Sequence, residues 1–423
     1  MKSYTQARAV RHAVHETVQR TPILDIHTHL YQPRFWGLLL RGPDELLTYH
    51  YLVAEVFRVA PPAFTYEQFW KMKKTEQSAF IWEQLFEERA PISEACRGVL
   101  TALTELGAKV RKRDLKKIRR HFARWTPEQH IERVFKAAGV TQALMTNNPF
   151  DDEERPIWEA AGGRATHDGR FRACLRLDDV LVHFPKCNPK LQSWGYKVSD
   201  QLNEQTCGEI RRFLQDWCER IDPVYMAVSL PPTFAFPHGG HTAHLIEHCI
   251  LPVGRERNLP FAMMIGVKKL INPALQLAGD GVGKSDICAV ENLCANFPQN
   301  KFLVTMLSRE NQHELCVAAR KFRNLHVFGC WWFLNNPSII EEMTRERLEL
   351  LGLSVTPQHS DARVLDQLAY KWPHSRKIIA AVLGDKFADV VRTGWTVTQK
   401  EIDRDVKRIF GGSFLEFLGV KSL

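Results

Sequence analysis

The sequence contains no apolar run of the length that a membrane-spanning helix needs, which is roughly 20 consecutive residues. Although 44% of its 423 residues are hydrophobic, they are dispersed among polar ones. The first eight residues also lack the apolar centre of a secretion signal and have the pattern of an amphipathic helix. The sequence therefore predicts a cytoplasmic protein that has no membrane partner.

Close cysteine pairs are absent as well. The ten cysteines are scattered along the chain, and no two of them form a CxxC pair. In a reducing compartment, scattered cysteines of this kind are expected to be buried thiols.

Two patterns that would indicate nucleic-acid or nucleotide binding are incomplete. The net charge is +9, but the densest basic stretch, 111–120, has no interleaved aromatic residues. Leu115 and Ile118 within it have the spacing of a helix with one buried stripe and a solvated charged face. The segment 281–285 is similar to the end of a phosphate-binding loop, yet Ala278 stands where that motif needs glycine. We expect a charged helix and a loop here, and no nucleic-acid partner.

The most informative feature that is present is a pair of histidines one residue apart, His27 and His29, inside the apolar run 23–30. Successive side chains of a strand point to opposite faces, so the two imidazoles would lie on the same face. Two neighbouring imidazoles can begin a divalent metal site. The alternative is a half-buried strand with two hydrogen-bonded histidines.

From about residue 136, short apolar runs alternate with helical patterns. Together with the first run they number eight: 23–30, 142–146, 172–177, 224–230, 261–267, 302–307, 325–332 and 353–359. Apolar strands that alternate with helices are typical of a parallel sheet covered by helices, and eight units predict an α/β fold, a (β/α)8 TIM-like barrel. A doubly wound open sheet, which normally has fewer strands, is the alternative. The chain 1–423 would then be one barrel, with a helical insertion over 31–135 after strand one.

Polar side chains follow the predicted strands at their carboxyl ends, where the active site of such a barrel lies. Strand eight neighbours strand one in a closed barrel, so Asp361 is expected to face His27 and His29 as a third metal ligand. Two imidazoles and one carboxylate suit zinc, and manganese or iron would also fit. The alternative for Asp361 is the N-cap of the following helix.

This set of ligands resembles the metal site of the amidohydrolase superfamily, with one difference. Hydrolases of that superfamily typically add a lysine on strand four and histidines on strands five and six. Here strand four ends without a lysine, and strands five and six end in Lys268 and Ser308. A two-metal hydrolase is therefore disfavoured, and one divalent metal ion is expected.

Within that superfamily the chain resembles the uronate isomerases (glucuronate isomerases) of the shorter bacterial branch. The matching stretches cover nearly the whole chain in order: DIHTHL, DELLTYHYLVAEV, SEACRGVL, RLD, WGYKV, DPVYMAVSLPPTF, PFAMMIGVKK, KFLVTMLSRENQHEL, FGCWWF, PQHSDARVL and YKW. The resemblance implies a reversible aldose–ketose isomerisation of a small uronic acid. D-Glucuronate would become D-fructuronate, and D-galacturonate would become D-tagaturonate. A homo-oligomer is compatible with the sequence.

The resemblance also implies roles for individual residues. Asp361 would carry the proton between C2 and C1 of the substrate and would also neighbour the metal ion. Arg363 would stabilise the enediolate or anchor a substrate oxygen. His50 and Tyr51, which lie in the insertion, would assist ring opening and polarise O1 or O2.

Three further residues would bind or enclose the substrate: Arg176, Trp331 and Trp372. The alternative for Arg176 is a salt bridge inside the barrel with Asp178. For Tyr51 and Trp372 the alternative is ordinary packing.

Two other classes of function remain open when only the residues are considered. A mononuclear zinc-dependent hydrolase or decarboxylase on the same barrel would use a water molecule bound to the metal. A non-catalytic protein that binds sugar acids or nucleic acid would need no proton carrier. The resemblance makes a uronate isomerase the leading hypothesis, and the presence of the whole polar set at the strand ends disfavours the non-catalytic protein.

Overall fold

The central sheet contains seven parallel strands, which correspond to the first seven predicted runs. The computed structural model describes residues 2–160 and 168–423. The strands, β1 to β7, are Ile23–Thr28, Val140–Asn147, Phe171–Arg176, Met226–Leu230, Phe261–Ile265, Phe302–Met306 and Leu325–Val327. Their order in the sheet is their order in the chain. This curled α/β sheet confirms the predicted TIM-like barrel.

The eighth predicted strand, 353–359, belongs to the segment that fills the gap between β7 and β1. On one side, the backbone N–H of Thr356 donates to the carbonyl of Val327 over 3.1 Å. On the other side, the N–H of Asp361 donates to the carbonyl of His27, also over 3.1 Å. The segment therefore closes the barrel.

The closing segment is irregular and contains only an isolated bridge, between Phe328 and Thr356. Pro357 has no N–H to donate to a neighbouring strand. Asp361 has a φ of 49°, in the left-handed region that side chains other than glycine rarely adopt. A continuous strand ladder cannot pass through these two residues, which explains the difference from the predicted strand.

The seventh predicted run, 325–332, is longer than the strand that it produces. Strand β7 ends at Val327, and the chain turns at Gly329, which has a φ of 71°. A Cβ atom at this glycine would lie 1.4 Å from the ring of His359. The turn therefore requires glycine, and it carries Trp331 out of the sheet.

The helices alternate with the strands and cover the barrel. In chain order the α-helices of the described residues are Ala7–Arg20, Pro43–Leu47, His50–Val56, Tyr66–Lys71, Lys74–Trp82, Glu94–Glu105, Leu115–Phe122, Pro127–Ala138, Glu154–Ala160, Asp178–Leu181, Asn188–Ser193, Glu204–Ile221, His241–Leu245, Leu251–Glu256, Cys288–Asn296, Gln312–Ala319, Pro337–Leu351, Leu368–Arg392, Gln399–Lys407 and Ser413–Leu418.

Local signals in the sequence explain how the chain enters β2. The helix Pro127–Ala138 begins with a capping box, in which Thr126 and Gln129 satisfy each other's backbone N–H groups. It ends at Gly139, whose φ of 68° is the left-handed conformation of a helix C-cap. Its buried face packs against the long helix Leu368–Arg392.

Several smaller predictions can be compared with the structure. Nine of the ten cysteines are buried free thiols, and Cys288 is exposed. The basic stretch forms the helix Leu115–Phe122, with Leu115 and Ile118 buried as expected. In the segment 281–285, the predicted loop begins instead with a short strand, Gly281–Val282, which pairs with Val267–Lys268.

None of the helices in the described residues is both long enough and apolar enough to cross a membrane. The cytoplasmic location and the homo-oligomer inferred from the sequence remain predictions.

Buried hydrogen bonds tie Asp366, which follows the closing segment, to the neighbouring helices. The Asp366 carboxylate is fully buried; one oxygen lies 2.6 Å from His130 Nε2, and the other accepts the N–H of Gly42. We predict that Asp366→Ala lowers the free energy of unfolding by about 3 kcal/mol, because both partners stay buried without an acceptor. Equilibrium urea unfolding measures this loss.

The matched control is Asp389→Ala, which removes an ion pair with Arg392 whose side chains are more than half exposed. Exposed pairs contribute at most about 1 kcal/mol. Equal losses for Asp389→Ala and Asp366→Ala would contradict the assignment of Asp366 as a buried tie.

Candidate active site

Two histidines and an aspartate from opposite sides of the barrel gap meet in one group. His27 lies in β1, and His29 follows the end of that strand. The Asp361 Oδ1 atom is 3.6 Å from His27 Nε2 and 3.4 Å from His29 Nε2. The candidate ligand atoms of the three residues all lie within 4.8 Å of one another, so the group could hold a metal ion.

The hydrogen bonds of His27 prepare it for a metal ion. The Tyr225 hydroxyl donates to the carbonyl of Ile26 over 2.8 Å, so its oxygen can accept from His27 Nδ1–H, at 3.0 Å. This tautomer leaves the lone pair of Nε2 free. His27 Nε2 is buried and has no hydrogen-bond partner among the described residues. An unpartnered imidazole nitrogen that faces a carboxylate fits a divalent metal ion.

Burial keeps both imidazoles neutral, which is the form that binds metal ions. Desolvation lowers the pKa of His27 to about 3, with a further contribution from His29. Desolvation also lowers the pKa of His29 well below its ordinary value, and the neighbouring Arg363 acts in the same direction. The lone pairs are therefore available at neutral pH without competition from protons.

A cavity opens directly beside this group at the carboxyl ends of the strands. Six of the residues predicted from the sequence line it together: His29, His50, Arg176, Trp331, Asp361 and Arg363. The remaining wall consists of Tyr49, Ser229, Met264, Val267, Lys269, Leu277, Asp280 and Trp332. The position at the strand ends is the one expected for the active site of a barrel.

A comparison with solved structures identifies the family. The crystal structure of a uronate isomerase from Bacillus halodurans is 54% identical to this chain, covers 98% of this chain and 97% of its own length, and superposes with a TM-score of 0.95. The chain belongs to the uronate isomerase family. The members of this family are aldose–ketose isomerases, which confirms the expected class of enzyme.

More distant members share the fold of this isomerase. A uronate isomerase from Thermotoga maritima is 16% identical with a TM-score of 0.74, and each chain is covered to 97%. A glucuronate isomerase from Caulobacter crescentus is 12% identical with a TM-score of 0.75, covering 99% of this chain and 95% of its own. No family model and no curated protein matches the sequence.

Three residues that the sequence predicts for the site of the isomerase lie outside the cavity wall. His27 is fully buried behind His29. The Tyr51 hydroxyl donates to the carbonyl of Trp332 over 3.3 Å, and the ring lines a neighbouring apolar cavity of about 210 Å³. Trp372 is 1% exposed, and its indole N–H donates to Asp25 over 2.7 Å. The structure therefore places Trp372 behind Asp361.

Two cations of the cavity are already paired with carboxylates. Arg176 binds Asp178 through Nε at 2.9 Å and Nη2 at 3.0 Å, so it both lines the cavity and forms the salt bridge that was the alternative to substrate binding. Although burial opposes the charge, Asp178 raises the pKa of Arg176 above its ordinary value. Lys269 Nζ is 2.8 Å from Asp280. In contrast, no carboxylate in the described residues lies within 4.0 Å of the Arg363 guanidinium.

Some residues that line the cavity were not predicted from the sequence. Asp280 and Leu277 reach it on the hairpin formed by Val267–Lys268 and Gly281–Val282. No strand-end pattern indicates them, because they follow β5 by more than ten residues. Tyr49 is adjacent to the predicted His50, and this neighbour was its only signal, whereas Trp332 lies at the end of the seventh predicted run.

His50 meets the cavity from the first turn of the helix His50–Val56. Burial lowers the pKa of His50 to about 3, and Arg363 contributes in the same direction. Its buried Nε2 has no hydrogen-bond partner within the described residues. His50 is therefore a neutral imidazole whose polar ring nitrogen is available to a ligand.

The hydrogen bond from His27 to Tyr225 generates a prediction about metal affinity. We expect Tyr225→Phe to weaken the binding of a divalent ion by about 10- to 100-fold, because the His27 tautomer is no longer fixed. His27→Ala should abolish tight binding. The measurement is a titration of metal-free protein with Co2+, followed by its visible absorbance and by competition with a chelator.

His12→Ala is the control, since His12 is an exposed histidine on the first helix. Its affinity for Co2+ should equal that of the unchanged protein. An unchanged affinity in His27→Ala would contradict the assignment of the ligands.

Proposed function

We propose that this protein interconverts D-glucuronate with D-fructuronate, and D-galacturonate with D-tagaturonate. The observation that carries the proposal is the convergence of Asp361 and Arg363 on one cavity, in a chain of this family. Among residues 2–160 and 168–423, no carboxylate pairs with Arg363. A uronate brings an anionic carboxylate and a C2 proton. The cavity offers a cation for the former and a carboxylate for the latter.

The reaction moves one proton between two carbon atoms. The Asp361 carboxylate takes the proton from C2, and the electron pair of that bond forms the C1–C2 double bond while the carbonyl electrons move to O1. The resulting cis-enediolate is stabilised by Arg363. Asp361 then returns its proton to C1, and the proton on O2 passes to O1 through the neighbouring polar groups, for which His50 in the cavity wall is our candidate. The product is the 2-ketose.

The two oxygens of Asp361 support a division of roles. The Oδ1 atom faces both imidazoles, which leaves Oδ2 for the substrate proton. This division matters because a cation bound to a carboxylate lowers its basicity. If Asp361 also held the metal ion, its bond to the ion would have to be weak or to shift for the carboxylate to act as the base.

His27, His29 and Asp361 would hold the proposed metal, a single zinc ion, which would supply a positive charge for orienting substrate oxygens. Two imidazoles and one carboxylate are a ligand set that zinc accepts, with coordination positions left for substrate. Arg176 binds Asp178 through its Nε and Nη2 atoms, so its Nη1 atom is left to bind the substrate. Trp331 encloses the cavity beside it.

We also propose that the segment 31–135 is an insertion that completes the active site of a single barrel, 1–423. His50 in this segment lines the cavity, and Tyr51 next to it holds the Trp332 backbone. Through this hydrogen bond, Tyr51 would keep Trp332 in its position in the cavity wall. His50 and the polar residues beside it would assist the opening of the sugar ring.

Incubation with each uronate in D2O tests the proposed reaction. We expect the aldose signal to fall, the ketose to form, and deuterium to appear at C2 of the remaining aldose, because the Asp361 proton exchanges with solvent. NMR spectroscopy follows all three. If neither uronate reacts while an ester, an amide or a carboxylic acid is cleaved, the mononuclear hydrolase or decarboxylase is the correct function.

Asp361→Asn tests the proton carrier. The amide keeps the shape of the side chain but cannot accept the proton, so kcat should fall by about 10²- to 10⁴-fold. The melting temperature should stay close to that of the unchanged protein. Asp385→Asn is the control, because Asp385 is a half-exposed ion-pair partner of Arg11 outside the cavity. Activity close to normal in Asp361→Asn would exclude the proposed role.

A further inference from the structure

A buried lysine that the proposed reaction does not use lies behind Asp361. Lys371 belongs to the first turn of the helix Leu368–Arg392 and is 3% exposed. Its Nζ donates to the carbonyl of Ser360 over 2.6 Å and lies 3.5 Å from the carbonyl of Asp361. Within the described part of the chain, no carboxylate is within 4.0 Å of this ammonium group.

Such a lysine is costly for the fold. A buried ammonium group loses its hydration, and here two backbone carbonyls replace it instead of an ion pair. Burial accordingly lowers the pKa of Lys371, while the more distant carboxylates of Asp361 and Asp25 oppose this shift. An ammonium group that is buried at this cost is expected to stabilise the backbone carbonyls that it contacts.

The carbonyls of Ser360 and Asp361 belong to a turn with an unfavourable backbone conformation. Asp361 has a φ of 49°, a left-handed backbone conformation that is unfavourable for a residue with a side chain. A strained residue keeps such a conformation only when its surroundings impose it. The N–H of Ser360 donates to Asp25 Oδ1 over 3.0 Å, and Asp25 Oδ2 accepts the indole N–H of Trp372.

Two adjacent residues of one helix thus hold both sides of Ser360. Lys371 binds its carbonyl directly, and Trp372 holds its N–H through Asp25. The peptide planes on either side of Ser360 are fixed, and they set the direction in which the Asp361 side chain leaves the backbone. That direction brings Oδ1 to within 3.6 Å of both imidazoles.

We propose that Lys371 is a positioning residue of the isomerisation, whose ammonium group holds the turn at Ser360 and Asp361 so that the Asp361 carboxylate points into the cavity. Lys371 does not touch the substrate in this arrangement. The inference rests on the proposed function, in which Asp361 carries the proton. A displacement of about 1 Å of a reacting group can cost about 10²-fold in rate.

The test compares two substitutions of Lys371 that differ in their donors. Lys371→Met keeps a long unbranched side chain but removes the charge and the donors, so the turn loses its support. We expect kcat to fall by about 10- to 100-fold, while KM for D-glucuronate and the content of bound Co2+ change by less than about 3-fold. Lys371→Arg keeps the donors, and the 210 Å³ cavity that Lys371 lines gives room for the larger group. It should restore most of kcat.

Lys377→Met is the matched control, because Lys377 is an exposed lysine of the same helix. It should have normal kcat, KM and melting temperature. If Lys371→Met does not fold, Lys371→Gln takes its place, because its neutral amide is one bond too short to reach the Ser360 carbonyl as Nζ does, and kcat should fall as for methionine.

The outcomes separate the inference from the function on which it rests. If the unchanged protein converts neither uronate, the proposed function is wrong. If it is active and Lys371→Met keeps normal kcat, the positioning role is overturned. A parallel fall in kcat and melting temperature that arginine does not restore would also overturn it, since a purely structural lysine predicts that result.

Discussion

Backbone hydrogen bonds across the gap between β1 and β7 are the constraint on which the site depends. The N–H of His29 donates to the carbonyl of Ala362 over 2.8 Å, and the carbonyl of His27 accepts from the N–H of Asp361. The residues that close the barrel are therefore also the candidate metal ligands or their direct neighbours. Because of this, closure of the barrel and assembly of the three-residue group are a single structural event, and the group cannot form in an open sheet.

Burial then determines the charge of each group near the gap. In a poorly hydrated environment a charge is retained only where a partner compensates for it. No neighbouring group fully compensates for a positive charge on the imidazoles of His27, His29 and His50, so burial lowers their pKa values. Arg176 keeps its charge because Asp178 binds it in a bidentate pair. The cavity therefore combines neutral nitrogens for a metal ion with cations for an anionic ligand.

The sequence was sufficient to predict the features that depend on periodicity. The apolar runs indicated eight strands, of which seven form the sheet, and the closed topology that they imply was enough to place Asp361 beside His27 and His29. Features that depend on distant packing were not predictable in this way. The hairpin that carries Asp280 to the cavity has no strand-end pattern, and the Tyr51 ring is turned away by its contact with Trp332. The eighth strand is irregular because proline and a left-handed aspartate interrupt it.

The position of Trp372 connects these observations. A tryptophan near a substrate pocket suggests a wall, but this indole is buried and binds Asp25, which in turn binds Ser360. Three short stretches that are distant in the sequence, around Asp25, around Ser360 and around Trp372, thus form one hydrogen-bonded unit behind the cavity. Within this apolar core, the Asp25 carboxylate accepts the N–H of Ser360 with one oxygen and the indole N–H of Trp372 with the other. Because the backbone of Ser360 leads directly into Asp361, the hydrogen bonds of Asp25 and Trp372 help to set the direction of the Asp361 side chain.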